Sequence, residues 1–148
     1  MNEIIKYYKN EYPEISISDC ITSNIMIDGN TIVFKFDNNG CWIKENKDDC
    51  FHRTEESVLT FYDCDIENVD IFLLTEKNID GEKLRIKEYL EFEEFVSNVN
   101  KKTISFEIVQ EYKNNMGSLF IGRIRGNAKK ADCYLQIDYK KLRLVYEE

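Results

Sequence analysis

The fold is decided by residues 90–146, which read LEFEEFVSNVNKKTISFEIVQEYKNNMGSLFIGRIRGNAKKADCYLQIDYKKLRLVY. Four apolar side chains near the start of this stretch recur at i, i+3, i+4 and i+7, namely Phe92, Phe95, Val96 and Val99. That spacing places them along one face of a helix. We therefore predict an amphipathic helix over residues 90–100.

Four strand-like runs follow the helix. In each run apolar residues alternate with polar ones, which is the pattern of a half-buried strand. The apolar sets are Ile104/Phe106/Ile108, Leu119/Ile121, Cys133/Leu135/Ile137/Tyr139 and Leu142/Leu144/Tyr146.

The first two-thirds of the chain also favour strands. Residues 21–27 place Ile21, Ile25 and Ile27 on one side, and Thr31–Phe36 follows the dipeptide Asp28-Gly29. Two alternating runs around Asp-Gly predict a β-hairpin. Further runs occur at 40–43, 58–62, 67–75 and 84–86, whereas residues 2–10 are consistent with a short helix.

Together these patterns predict an α+β, mainly β fold in a single domain spanning residues 1–148. Short strands joined by tight turns imply antiparallel pairing. We expect a curved antiparallel sheet, a sandwich or a partly open barrel of about eight strands. The helix near 90–100 would pack on it, with a possible second helix at the N-terminus.

Composition restricts the function. The 148 residues carry a net charge of −8, which disfavours a phosphate-rich nucleic acid as partner and an anionic membrane surface. No apolar run is long enough to span a membrane, and residues 1–7 lack the pattern of a signal peptide. The sequence therefore predicts a cytoplasmic protein.

The charge is unevenly distributed along the chain. Residues 1–96 hold 10 basic and 22 acidic residues, a net charge of −12, and residues 97–148 hold 10 and 6, a net charge of +4. The excess could separate into an acidic and a basic face. Interleaving of antiparallel strands from both parts would instead mix the charges, and this is the interpretation we favour.

The five cysteines, Cys20, Cys41, Cys50, Cys64 and Cys133, are widely spaced and expected to be reduced thiols. Four of them directly follow an aspartate. A shared ligand set is one interpretation of this repetition. The simpler one places each cysteine in the core and each aspartate outside, because neighbours in a strand point to opposite faces.

Catalytic and cofactor motifs are missing. His52 is the only histidine, so a Cys50–His52 nucleophile–base pair or a mixed metal site would have to use it. We favour the interpretation that it is simply part of a polar loop. The spacings match neither a zinc site, an EF-hand nor a phosphate-binding glycine loop. We predict no catalytic residue, no metal site and no cofactor, although a pair of carboxylates could act from anywhere in the chain.

Residues 44–57 lose all periodicity, and patternless connections of more than about 12 residues are often functional or disordered. Trp42 lies just before them, and tryptophan is enriched at binding hot spots. A mobile charged loop over a core tryptophan is the plainer interpretation. If the segment is functional, the candidate partner-binding residues are Trp42, Asp48, Asp49, His52, Glu55 and Glu56.

Several stretches, taken in order, resemble small β-rich bacterial families of uncharacterised proteins, including ones grouped with polymorphic-toxin immunity proteins. The resemblance lies in strand order and a few small or aromatic residues at 17–21, 29–34, 40–43, 104–111 and 133–146. It includes no catalytic motif and assigns no site residues.

Our first hypothesis is accordingly a cytoplasmic protein-interaction protein, of the immunity type, whose acidic aromatic-bearing surface occludes a basic site on a protein partner. The second is a small-molecule-binding β-barrel-like domain. The third is an enzyme built on carboxylates or on Cys50 and His52. A domain with no catalytic role in any of these senses stays open, as does its oligomeric state.

Overall fold

The computed structural model describes residues 2–7, 11–126 and 129–148. These ranges form thirteen strands and one α-helix: β1 Asn2–Lys6, β2 Glu14–Ser16, β3 Cys20–Asp28, β4 Thr31–Phe36, β5 Trp42–Lys44, β6 His52–Arg53, β7 Ser57–Tyr62, β8 Asp70–Ile79, β9 Glu82–Tyr89, α1 Phe92–Asn100, β10 Ser105–Lys113, β11 Gly117–Gly126, β12 Lys129–Asp138 and β13 Lys141–Tyr146.

Ten strands form one antiparallel sheet in the order β1-β13-β7-β4-β3-β10-β11-β12-β8-β9, and the other three form a small sheet in the order β2-β5-β6. The α+β, mainly β class and the curved antiparallel sheet are confirmed. The expected count of about eight strands is wrong, because strands as short as β2 and β6 leave no periodic signal. The expected N-terminal helix is also wrong over residues 2–6, which pair with β13; residues 8–10 lie outside the described ranges.

The large sheet folds over on itself. Adjacent strands lie about 4.8 Å apart, so a flat sheet would hold β4 and β11 about 14 Å apart. Instead the Phe120 ring centroid lies 5.9 Å from that of Phe34 on β4 and 5.8 Å from that of Phe61 on β7. All three side chains are fully buried. The sheet is therefore strongly curved but not a closed barrel, since β1 and β9 stand at its two ends.

The large sheet has two halves, β1-β13-β7-β4-β3 and β10-β11-β12-β8-β9. They are joined by the pairing of β3 with β10, which we call the seam. β3 and β10 pair over three positions only, from Phe106–Thr22 to Ile108–Cys20. The predicted helix is confirmed as α1, and its apolar stripe is buried. α1 packs against β3, and its Phe95 ring meets Phe106 at 5.2 Å. Within the described ranges no helix has the length and apolar character needed to cross a bilayer.

The end of α1 takes the place of a strand beyond the seam. The Ile25 backbone N–H donates to Asn100 Oδ1 at 2.8 Å, and Asn100 Nδ2 donates to the Ile25 carbonyl at 2.7 Å. Lys102 Nζ donates to the Ser23 carbonyl nearby. The outer edge of β3 is thereby satisfied where β10 no longer reaches it.

Two predicted faces are wrong. Ile21 is exposed while Ile25 is buried, because a register shift between Thr22 and Asn24 reverses the alternation of β3. On β11 the buried face holds Phe120 and Ile124, so the apolar pair Leu119 and Ile121 lies on the outer face. The other predicted strand faces after α1 are confirmed at Phe106, Ile108, and the buried sets of β12 and β13.

β9 ends the order of strands and pairs with β8 alone among the described elements. Its cations alternate along the strand at Lys83, Arg85 and Lys87, so they share one face. The charges at its two ends, Glu82 and Glu88, lie on the opposite face.

We predict that Asn100→Ala lowers the free energy of unfolding by about 2 kcal/mol, because two backbone groups of the buried Ile25 lose their hydrogen-bond partner. Denaturant unfolding measures this. Lys101→Ala, at the neighbouring exposed position, is the control and should change stability by less than about 0.5 kcal/mol. Equal stability of the two variants would show that the amide does not support the seam.

Candidate functional site

The candidate residues lie on and around the small sheet. Trp42 on β5 pairs with Arg53 on β6, and Ile43 pairs with His52. Residues 44–57 are therefore not a structureless loop: they contain the end of β5, all of β6 and the first residue of β7. The small sheet gives this segment a defined backbone.

Two lysines fasten the chain that leads into β2. Lys6 is 5% exposed, and its Nζ donates to the Pro13 carbonyl at 2.6 Å and to the Glu11 carbonyl. Lys113 Nζ donates to the Ile15 carbonyl at 3.1 Å. Burial lowers the pKa of Lys6, and the charge of Lys113 lowers it further. These bonds attach the small sheet to β1 and β10 of the large one.

Trp42 is part of this framework. Its indole Nε1 donates to the Ser18 carbonyl at 2.9 Å. The guanidinium carbon of Arg53 lies 4.8 Å from the ring centroid, and Arg53 also donates to the carbonyls of Asn39 at 2.6 Å and Asp19 at 3.0 Å. The ring is half-buried beneath Arg53, so the tryptophan is held as part of the framework of the site.

A glycine and a threonine hold β6 against the start of β5. The Thr54 N–H donates to the Cys41 carbonyl at 2.8 Å, the Cys41 N–H donates to Thr54 Oγ1 at 3.1 Å, and that hydroxyl donates to the Glu55 carbonyl at 2.9 Å. Gly40 has φ +61°, and a Cβ there would lie 2.0 Å from the Glu55 carbonyl oxygen. The close approach requires glycine.

The acidic candidates project from this framework. Asp48 and Asp49 are exposed, and their N–H groups donate to Oδ1 and the carbonyl of Asn46, so the turn is held while both carboxylates stay outside. Glu55 N–H donates to the Glu147 carbonyl at 2.8 Å, and Glu147 N–H donates to the Glu56 carbonyl at 2.9 Å. The C-terminal residues thus join the same surface.

We call this set the acidic surface. It consists of Glu45, Asp48, Asp49, Glu55, Glu56, Glu147 and Glu148, all exposed. Glu45, Glu147 and Glu148 were not predicted from the sequence as members of this surface. Only the long-range pairing of β7 with β13 brings the last two to the others, and no local pattern signals it.

Two aromatic rings border the acidic surface. Phe51 is 42% exposed and Tyr12 is 41% exposed. Lys44 Nζ lies 5.9 Å from each ring centroid, which brings the two rings to one lysine. The surface therefore combines carboxylates with apolar area. Phe51, which was not predicted as a site residue, is its most exposed large apolar side chain between residues 42 and 62.

His52 meets two carboxylates. The ligand atoms of Glu45, His52 and Glu148 all lie within 4.8 Å of one another. The carboxylates of Glu148 and Glu45 also contribute, after burial, to raising the pKa of Tyr146. These three side chains could thus ligate a divalent cation. We predicted no metal site from the sequence, and the proximity of these three side chains was not expected.

Cys50 and His52 share no hydrogen bond in the part of the chain that the structure describes. Cys50 is exposed, whereas the other four cysteines are buried. Burial raises the pKa of Cys20 to about 12, of Cys64 to about 11 and of Cys133 to about 12, and also raises that of Cys41. The predicted placement of cysteine in the core and aspartate outside holds for Cys20, Cys64 and Cys133, and not for Cys50.

Comparisons of the chain with protein-family models, with curated proteins and with solved structures found no match.

We predict that Ellman's reagent labels one thiol in the folded chain and five after denaturation, because thiolate character and access decide reactivity. Cys50→Ser should leave no fast-reacting thiol. Rapid labelling of two or more thiols in the folded chain would contradict the buried positions of the other four.

We also predict that Gly40→Ala destabilises the chain by at least about 2 kcal/mol more than Gly29→Ala does. Both glycines have positive φ, which costs alanine about 1–2 kcal/mol, but a Cβ at Gly29 meets no atom within 4 Å. Thermal and denaturant unfolding measure the difference. Equal losses would mean that β6 is not held against Gly40.

Proposed function

We propose that this protein is a non-enzymatic interaction module that binds a basic face of a protein partner through the acidic surface. The observation that carries the proposal is that exposed acidic residues from two distant parts of the chain meet, Glu45 with Glu148, and Glu55 and Glu56 with Glu147, close to the exposed Asp48–Asp49 turn. The exposed rings of Phe51 and Tyr12 lie beside them around Lys44. In its finer form, the proposal is an immunity-type role in which this surface covers the basic working site of a toxin.

Charge density supports the proposal. The acidic surface holds seven carboxylates with Lys44, Lys47 and Arg53 among them, and Arg53 is occupied by Trp42 and two carbonyls. Such a local excess attracts a cationic partner over a distance comparable to the Debye length, about 8 Å at physiological salt. Association is then faster, and the orientation of the encounter is set by charge.

Backbone order supports it further. Ordering a loop on binding costs free energy that weakens a complex. Here the segment is already held by β6, by the Asn46 turn and by the bonds between Glu55, Glu56 and Glu147. The carboxylates need little rearrangement to meet a partner, and Phe51 supplies the apolar contact that charged rims lack.

The second hypothesis, a ligand-lined barrel interior, lacks support where Phe34, Phe61 and Phe120 fill the space between the two halves of the sheet. We retain the interaction role as the proposal.

We predict that Asp48→Lys/Asp49→Lys weakens binding to a cognate partner by tenfold or more, mainly by slowing association. The partner is sought among the products of genes adjacent to this one, each co-expressed and co-purified with the chain, and its affinity and association rate are measured by biolayer interferometry at two salt concentrations. Suppression of that product's toxicity tests the immunity-type form separately.

The matched control is Glu67→Lys/Glu93→Lys, which makes the same charge change at exposed positions away from the acidic surface. It should bind within about threefold of the unmodified chain. The proposal fails if no neighbouring product forms a stoichiometric complex, or if both double variants lose affinity equally.

A further inference from the structure

The large sheet forks near one end. β12 and β8 pair from Gln136–Asp70 to Asp132–Leu74, and their pairing stops there. β12 nevertheless extends to Lys129 and β8 extends to Ile79 with β9 beside it. The strands therefore separate, and a cavity of about 440 Å³ lies in the fork. That volume is within the range of about 300–1,000 Å³ usual for small-molecule sites.

Cations dominate the polar lining of this cavity. The lining comprises four basic residues, two acidic ones and three apolar ones: Arg85, Arg123, Arg125, Lys130, Glu76, Asp132, Leu74, Ile124 and Ala131. One wall comes from β8 and β9 and the other from β11 and β12. In a chain with a net charge of −8, this local excess of positive charge opposes the overall balance.

One ion pair spans the fork, and two arginines of the lining take no part in an ion pair among the described residues. Arg85 Nη2 lies 3.3 Å from Asp132 Oδ2. Asp132 stands directly opposite Arg123 in the β11–β12 ladder, and its carboxylate is paired with Arg85. Glu107 stands opposite Arg123 on its other side, in the β10–β11 ladder, but forms no ion pair with it within 4.0 Å. Among the described residues, neither Arg123 nor Arg125 has an ion pair within 4.0 Å.

The ladder also places two like charges opposite each other. Arg125 pairs directly with Lys130, an arrangement that destabilises a sheet by a few tenths of a kcal/mol. An anion held between them would reverse the sign of that interaction. The repulsion between Arg125 and Lys130 therefore occurs in the lining of the cavity. Arg123 and Arg125, which form no ion pair among the described residues, lie in the same lining.

We propose that the fork binds a small soluble ligand carrying phosphoryl groups. Guanidinium groups present planar pairs of donors that match two phosphate oxygens, and they are less strongly hydrated than an ammonium group. Leu74, a half-buried side chain of the lining, offers contact to an uncharged part of the ligand. The net charge of −8 favours a short ligand over an extended nucleic acid, because distant carboxylates repel a long polyanion. The proposal is independent of the acidic surface.

The test is calorimetric titration of the full chain with inorganic pyrophosphate and, separately, with adenosine diphosphate, at fixed low ionic strength. We expect saturable binding of pyrophosphate with a stoichiometry of one. A tighter affinity for adenosine diphosphate would identify a nucleotide as the source of the phosphoryl groups, and equal affinities would identify the phosphoryl groups alone.

Three variants locate the site. Arg123→Gln/Arg125→Gln should weaken pyrophosphate binding by tenfold or more, and Arg123→Lys/Arg125→Lys should give an intermediate loss, because the charge stays and the planar donor pairs go. Asp132→Asn should tighten binding severalfold, since it removes a carboxylate from the cavity and frees Arg85. Thermal unfolding without ligand confirms that each variant is folded.

The control is Lys35→Gln/Lys101→Gln, which removes the same charge at exposed positions that do not line the cavity. It should bind as the unmodified chain does. The proposal is overturned if millimolar pyrophosphate produces no saturable heat, if the control loses as much affinity as the double arginine variant, or if Asp132→Asn weakens binding.

Discussion

The architecture depends on the contact between Phe120 and the rings of Phe34 and Phe61. Curving a ten-stranded sheet brings together strands that its hydrogen bonds would hold far apart, and the hydrogen bonds alone do not select that curvature. Burial of three full aromatic side chains does, since each removes on the order of 150–250 Å² from water. Among the described residues, the only strand pairing between the two halves is the short β3–β10 seam. This aromatic contact and the packing of α1 therefore do much to hold the two halves together.

Local periodicity was enough to predict the helix and most inward faces after it, because burial imposes the same spacing wherever an element packs on one side. It failed where pairing overrode local pattern. A register shift at Thr22 turned Ile21 outward, and pairing with β13 drew residues 2–6 into a strand although their spacing suits a helix. On β11 the apolar residues Leu119 and Ile121 face outward, and the buried face is formed by Phe120 and Ile124.

The candidate sites show the same division. Asp48, Asp49, Glu55 and Glu56 were singled out from the sequence because they are neighbours along the chain. Glu148 was not, since a strand pairing across more than 80 residues brings it there. The fork could not be predicted from the sequence either, because the point where two paired strands separate leaves no periodic pattern. Charge counts by segment hinted at a basic excess, but Arg85 comes from the acidic part of the chain.

The alternation of charge on β9 affects whether two copies of the chain can associate through this strand. An antiparallel pairing of two copies through this strand would set residues of the same face opposite each other. With Arg85 at the centre, Arg85 would oppose Arg85, Lys83 would oppose Lys87 and Glu82 would oppose Glu88. Every charged pair would repel. The unpaired edge of a long sheet is a template for aggregation. On β9 the repulsion between like charges opposes the pairing of one copy with another in this register.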